Sequence, residues 1–148
     1  MEFRLAEAPR RIVRRFACAF AAGSLLIACQ SPADKVGFDE LNADRTELGV
    51  PALRYNNMLQ LKADKWADYL AEKGELSHSD LTDDVSGCWK GLAENVGYGP
   101  SVAAIQDAYM NSPPHRANVV NKRYDDGAVA VVQEGNRYYT VQLFLDKC

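Results

Sequence analysis

Residues 112–119 read SPPHRANV, a stretch that places a histidine in the first turn of a short helix. Ser112 is a favoured N-cap residue, and Pro113 suits the first helical position because the N–H it lacks would have no intrahelical partner there. His115 therefore lies at the start of an element rather than on an apolar periodic face, and such boundaries commonly display functional groups. A capping or surface role for this single histidine remains the alternative at this point.

A second histidine and an embedded carboxylate lie upstream of this stretch. The chain has two histidines, and the other is His78, in Ser-His-Ser at 77–79, for which a capping or surface role is likewise the alternative. Glu94 lies in GLAENVG at 91–97, where a carboxylate usually has a partner because burying it alone is costly. Two imidazoles and a carboxylate can bind a divalent metal, or act as a base with its orienting acid. The positive end of the short helix predicts a lowered pKa for His115, which favours the neutral form that a metal needs.

The remaining patterns predict helices in the first part of the domain and a β-hairpin at its end. Apolar residues at helical spacing predict helices over 38–48, 57–73 and 101–111. Valine-rich 128–133 and alternating 137–145 predict two strands joined by a turn at Gly135-Asn136. Residues 77–100 show little periodicity and predict a long loop, which is usually functional or disordered at such a length.

Seven short segments, taken in order, resemble the CAP superfamily, which comprises cysteine-rich secretory proteins, antigen 5 and pathogenesis-related 1 proteins with many bacterial relatives. Each segment is weak by itself, but their order and spacing over roughly 38–145 are specific. The segments are LNxxR at 41–45, PxL at 51–53, Trp66-Ala67, SHS at 77–79, AENV at 93–96, SPPHRANV at 112–119 and YxVQxF at 139–144.

The resemblance implies an α+β fold, a three-layer α-β-α sandwich of the CAP (SCP) type, with a cleft that carries two histidines and acidic residues. Some members bind zinc or another divalent ion in that cleft. His78, Glu94 and His115 match three of its four positions, and they are the candidate metal ligands and the candidate catalytic residues. The fourth position, a glutamate in many eukaryotic members, falls near Ser112 here, which counts against protease-like chemistry.

The N-terminus predicts a lipoprotein signal. A cluster of four arginines at 10–15 precedes an apolar run over 16–28, which has the length of a signal-peptide core and is short for a membrane span. The run ends in LIAC at 26–29, which resembles the lipobox of bacterial lipoproteins, where the thiol of Cys29 receives the lipid. A plain secretion signal with a chance cysteine, or a buried helix, is the alternative.

This signal predicts the organisation and the location of the mature protein. We expect a signal peptide over 1–28, a lipidated tether over 29–37 and a single folded domain over 38–148. The mature chain would then lie outside the cytoplasm, anchored through Cys29 to a bacterial membrane of the cell envelope.

Removal of residues 1–28 makes the chain more acidic. The full chain has a formal net charge of −3, and this segment carries five arginines and two acids. The mature chain therefore has 12 basic and 18 acidic residues and a net charge of −6. Such a charge disfavours nucleic acid and bare anionic lipid as partners.

The predicted lipoprotein signal accounts for two of the four cysteines. Cys18 leaves with the signal and Cys29 is lipidated, which leaves Cys88 and Cys148. An even pair in an oxidising compartment predicts one disulfide, which would close a loop of about 60 residues and contribute ~4 kcal/mol in the chain-entropy model. Two free thiols are the alternative, and the absence of CxxC spacing argues against a thiolate zinc site.

Three functions compete. The resemblance implies a binding module whose cleft takes a lipid, a sterol or an envelope component, with zinc or another divalent cation as the candidate cofactor. The second is a hydrolase at the cell envelope, although Ser77, Ser79 and Ser112 offer no compelling nucleophile. The third is a structural envelope protein that retains the cleft as a relic. Both histidines fall at family positions, which favours a retained role for the cleft over a relic. The missing second glutamate argues against the hydrolase, so binding is the favoured function.

Overall fold

A computed structural model describes residues 30–148, so the predicted signal peptide and the lipidation at Cys29 lie outside the described residues. The helices are α1 (Pro32–Glu47), α2 (Asn57–Lys73), α3 (Val102–Asn111) and α4 (Pro113–Val119). The strands are β1 (Arg54–Tyr55), β2 (Trp89–Gly99), β3 (Asp126–Glu134) and β4 (Arg137–Lys147). No helix within this part of the chain is long and apolar enough to cross a membrane.

The strands form one sheet in the order β1-β3-β4-β2. β4 pairs antiparallel with both β2 and β3, whereas β1 runs parallel to β3. Gly135, with φ of +59°, makes the turn between β3 and β4, which confirms the predicted hairpin. We call the end of the strands beside this turn the hairpin end.

A disulfide lies at the opposite end of the strands, which we call the disulfide end. Cys88 and Cys148 form the disulfide that we predicted from the cysteine count, and their Cα atoms are 5.5 Å apart. The bond joins the residue before β2 to the residue after β4, next to the Trp89–Lys147 pair of the ladder.

Helices cover both faces of the sheet, which confirms the α+β fold and the three layers expected from the resemblance. Alternate residues of a strand point to opposite faces, so β3 contributes Ala128 and Ala130 to one core and Val129 and Val131 to the other. The first core contains the apolar stripe of α2, and the second contains the stripe of α1. α3 lies on the α1 face, where the Tyr109 hydroxyl is 2.8 Å from Thr140 Oγ1.

The long strand β2 (89–99) replaces the second part of the loop that we predicted over 77–100, whereas residues 77–88 form neither a helix nor a strand. Four consecutive side chains from Ala93 to Val96 are buried, and two of them, Glu94 and Asn95, are polar. The strand therefore shows neither an apolar run nor an alternation of apolar and polar residues, the two patterns from which a strand is predicted. Its polar residues are tolerated because they have partners, as described below.

α1 begins six residues earlier than the predicted helix over 38–48. Ser31 Oγ accepts from the Asp34 N–H at 3.1 Å, and the Asp34 carboxylate accepts from the Ser31 N–H at 2.9 Å, which is a capping box. Asp34 is buried and also accepts from the Val131 N–H at 2.7 Å. Residues 32–37, predicted as part of the tether, therefore belong to the folded domain because Asp34 ties the first turn to the sheet.

Candidate functional site

His78 lies in the segment between α2 and β2, where Glu94 orients its ring. His78 Nδ1 is 2.8 Å from Glu94 Oε1. A carboxylate only accepts hydrogen bonds, so Nδ1 carries the proton of the neutral ring and Nε2 presents a lone pair. The His78 side chain is 63% exposed, whereas the Glu94 side chain is 1% exposed. The site therefore has a solvent-facing imidazole on a buried carboxylate.

Ser79 accounts for the remaining bonds to the Glu94 carboxylate. Its backbone N–H donates to Oε1 at 2.9 Å, and its hydroxyl donates to Oε2 at 2.7 Å. Both oxygens thus have partners, which explains how a carboxylate is tolerated in the buried part of β2. Direct ligation of a metal by Glu94 would compete with these bonds, so the geometry favours Glu94 as the group that orients His78.

Two residues of α2 hold the backbone on either side of His78. The Trp66 indole donates to the Ser77 carbonyl at 2.9 Å, and the Lys62 ammonium donates to the Asp80 carbonyl. Their apolar and basic side chains are ordinary for a helix, and no sequence signal marks them as supports of the site. The sequence indicated Ser79 only weakly as a site residue, because it directly follows His78.

His115 lies in the first turn of α4, which packs on the α1 face of the sheet through Val119. Ser112 is the N-cap of α4 and is followed by proline, as predicted, but its side chain makes no capping bond. Ser112 Oγ is instead 2.8 Å from His115 Nδ1. A hydroxyl can accept from Nδ1–H, and this arrangement leaves the Nε2 lone pair of His115 available.

The pKa of His115 is lowered, which agrees in direction with the prediction from the helix end. The larger cause is burial, and the second is the electrostatic effect of His78. A lowered pKa keeps His115 neutral and available as a ligand near pH 7.

A buried chain of amides fixes α4 beside β2. Asn95 donates to the His115 carbonyl at 3.1 Å and to Gln142 Oε1 at 3.0 Å. Gln142 then donates to Gln106 at 2.6 Å, and Gln106 donates to Asp44 at 2.6 Å. The position of His115 therefore depends on α1 and α3 as well as on α4. We did not predict Asn95 as a site residue, although it directly follows Glu94.

His78 and His115 each offer an imidazole nitrogen, which is a type of donor that a divalent metal could use. Imidazole nitrogens are common zinc ligands, and both histidines keep Nε2 free of the bonds described above. Within residues 30–148, no group of three or more His, Cys, Asp and Glu side chains is arranged to hold a metal ion. A metal on His78 and His115 would thus complete its coordination with water or with a bound ligand.

Known structures share this fold at low sequence identity. An outer surface protein from Borrelia burgdorferi superposes with a TM-score of 0.71 at 19% identity, covering 81% of this chain and 96% of that one. An extracellular protein containing an SCP domain from Bacillus anthracis gives 0.65 at 22%, covering 85% and 45%. A cysteine-rich secretory protein from Staphylococcus aureus gives 0.64 at 24%, covering 81% and 40%. The present chain thus spans less than half the length of the latter two.

The family is shown by the sequence of the domain itself. A search of curated proteins finds no match. The model of the cysteine-rich secretory protein family, by contrast, matches residues 38–144, which include His78, Glu94 and His115. The chain therefore belongs to the CAP family, the cysteine-rich secretory protein family.

Proposed function

We propose that this protein is a lipid-anchored binding protein of the bacterial cell envelope, whose site binds a ligand through a divalent metal on His78 and His115. One observation carries this proposal. Each ring has its Nδ1 engaged by a protein group, Glu94 for His78 and Ser112 for His115, and each presents Nε2. Such orientation by a neighbouring group is typical of metal-binding histidines and reduces the ordering that binding requires.

The proposed ligand is a lipid, a sterol or another component of the envelope, as the CAP resemblance implies. Open coordination positions on a two-histidine metal suit a ligand that carries an oxygen donor, such as a carboxylate, a hydroxyl or a phosphate. Anchoring through Cys29 supports an envelope ligand because it keeps the site close to the membrane.

A hydrolase is the second candidate, and the His78–Glu94 pair favours it. A carboxylate on Nδ1 is the arrangement that orients a histidine as a general base. The neighbouring hydroxyls, however, have other roles, since Ser79 donates to Glu94 and Ser112 contacts Nδ1 of His115. We therefore place binding before hydrolysis, and a purely structural role would leave the orientation of both rings without a use.

Zinc titration of the mature chain by calorimetry tests the metal site. We expect one zinc ion per domain, and we expect His115→Ala to abolish binding because a single imidazole remains. The matched control is Arg116→Ala, an exposed neighbour on the same helix, which should bind zinc like the unaltered protein. Equal heats for the unaltered protein and His115→Ala would refute the site.

A graded variant separates ligation from orientation at the same site. Glu94→Gln keeps the shape of the side chain but weakens its hold on His78 Nδ1, so we expect zinc affinity to fall about 10- to 100-fold. Circular dichroism melts of the variant check that the domain remains folded. Unchanged affinity would show that Glu94 does not orient a metal ligand.

Mass spectrometry of the mature protein tests the anchor. We expect an N-terminal Cys29 that carries diacylglycerol, and we expect Cys29→Ser to move the protein from the membrane fraction to the soluble fraction. A mature N-terminus without lipid would refute the anchored location and leave the metal proposal standing.

A further inference from the structure

We propose that the hairpin end of the sandwich rests on the bilayer that holds the Cys29 anchor, with Tyr98 and Arg137 at the contact. This inference rests on the proposed lipidation of Cys29. It adds which surface of the domain meets the membrane and how high the histidine site lies above it.

The folded domain begins almost directly after the anchor. Only Gln30 separates Cys29 from Ser31, and Ser31 is fixed by the capping box at the start of α1. Two residues span at most ~7 Å when fully extended. The start of α1 must therefore lie within that distance of the lipidated residue, so the domain cannot turn freely above the membrane.

The start of α1 lies toward the hairpin end because α1 runs antiparallel to β3. Asp34, in the first turn, accepts from the Val131 N–H in the second half of β3. Asn42, two turns later, bonds both backbone polar groups of Leu53, at 2.8 and 3.2 Å. Leu53 in turn packs against Gly127 at the start of β3. The axis of α1 thus points its N-terminus toward the turn at Gly135.

The exposed side chains at this end suit a bilayer interface. Tyr98 is 48% exposed on β2, and the Arg137 guanidinium lies 4.2 Å from the centre of its ring. Val36, in the second turn of α1, is 49% exposed. Tyrosine and arginine combine an apolar body with a polar tip, and such side chains are favoured where lipid meets water. Because the mature chain is acidic, the lipid anchor provides the attachment to the membrane. The exposed residues at the hairpin end determine the orientation of the domain on it.

This orientation sets the height of the histidine site. Glu94 pairs with Leu143, six positions along β4 from Arg137 beside the turn. At ~3.4 Å per residue the site lies about 20 Å above the hairpin end. A lipid ligand would therefore have to leave the bilayer to reach His78 and His115, whereas a ligand in the surrounding envelope would meet the site directly.

Fluorescence quenching in vesicles tests the orientation with the full mature, lipidated protein. A fluorophore is placed on Asn136→Cys at the hairpin turn, or on Lys122→Cys, which lies beside Arg123 and its bond to Asp146 near the disulfide end. Native cysteines do not interfere, because Cys88 and Cys148 are bonded and the thiol of Cys29 carries the lipid in this lipidated protein. The vesicles are phosphatidylcholine with a nitroxide-headgroup lipid. The label at 136 should lose most of its fluorescence and the label at 122 little, because β4 separates the two ends by ~30 Å.

Flotation of the same samples separates this inference from the anchor. Protein that floats with the vesicles but shows equal quenching at both labels, or stronger quenching at 122, overturns the orientation alone. Protein that fails to float refutes the anchor and the orientation together. Tyr98→Asp should reduce quenching at 136 without changing flotation, and unchanged quenching would remove Tyr98 from the contact.

Discussion

Arg45→Met is expected to lower the free energy of unfolding by about 4 kcal/mol, because it removes a buried cation that binds four backbone carbonyls. Arg45 is fully buried. Its guanidinium donates to the carbonyls of Pro51 at 2.9 Å, Val119 at 2.7 Å, Asn121 at 3.1 Å and Tyr124 at 3.1 Å. Methionine retains much of the aliphatic volume but donates no hydrogen bond, so these carbonyls would lose their partner in the core.

Thermal melts measure this effect. A loss of this size should lower the melting temperature by about 10 °C or more for a domain of this length. Arg116→Met is the matched control, since that arginine is exposed on α4 and its replacement should change stability by no more than ~0.5 kcal/mol. If Arg45→Met had the same melting temperature as the unaltered protein, the Arg45 guanidinium would not be what holds α1 to the segment after α4.

Replacement of both bonded cysteines, Cys88→Ser with Cys148→Ser, is expected to cost ~4 kcal/mol of stability. The bond spans a sequence separation of 60 and closes the disulfide end of the β2–β4 ladder. Without it, the unfolded chain gains conformational freedom, and the first pairs of β2 lose their covalent support. The loop that carries His78 precedes Cys88 directly, so zinc affinity should also fall when the bond is absent.

Melts with and without reductant test this prediction. Reductant should lower the melting temperature of the unaltered protein to that of the double variant and leave the variant unchanged, because the variant has no bond to reduce. Mass spectrometry under non-reducing conditions should find the oxidised protein lighter by two hydrogens. A reduced protein that melts like the oxidised one would refute the stabilising role of the bond.

The parts of this protein that follow from local patterns were predictable. α2 has the bounds predicted from its apolar spacing, and Gly74 ends it in the left-handed conformation expected of a C-cap glycine. The hairpin turn at Gly135 and the start of α4 at Ser112 likewise rest on the conformational preferences of a few adjacent residues. His78, Glu94 and His115 were predictable as candidates because there are only two histidines and because short motifs around all three resemble one family.

The features that depend on distant partners were not predictable. β2 is a strand because β4 pairs with it, and its polar residues are buried because Ser79 and Gln142 bond to them from other elements. α1 extends back to Pro32 because the Asp34 carboxylate meets a backbone N–H of β3. The Ser112 hydroxyl contacts an imidazole instead of capping its helix. Local sequence patterns indicate which residues carry the functional groups of the candidate site. Hydrogen bonds between residues far apart in the chain determine which atom of each group remains available to bind a ligand.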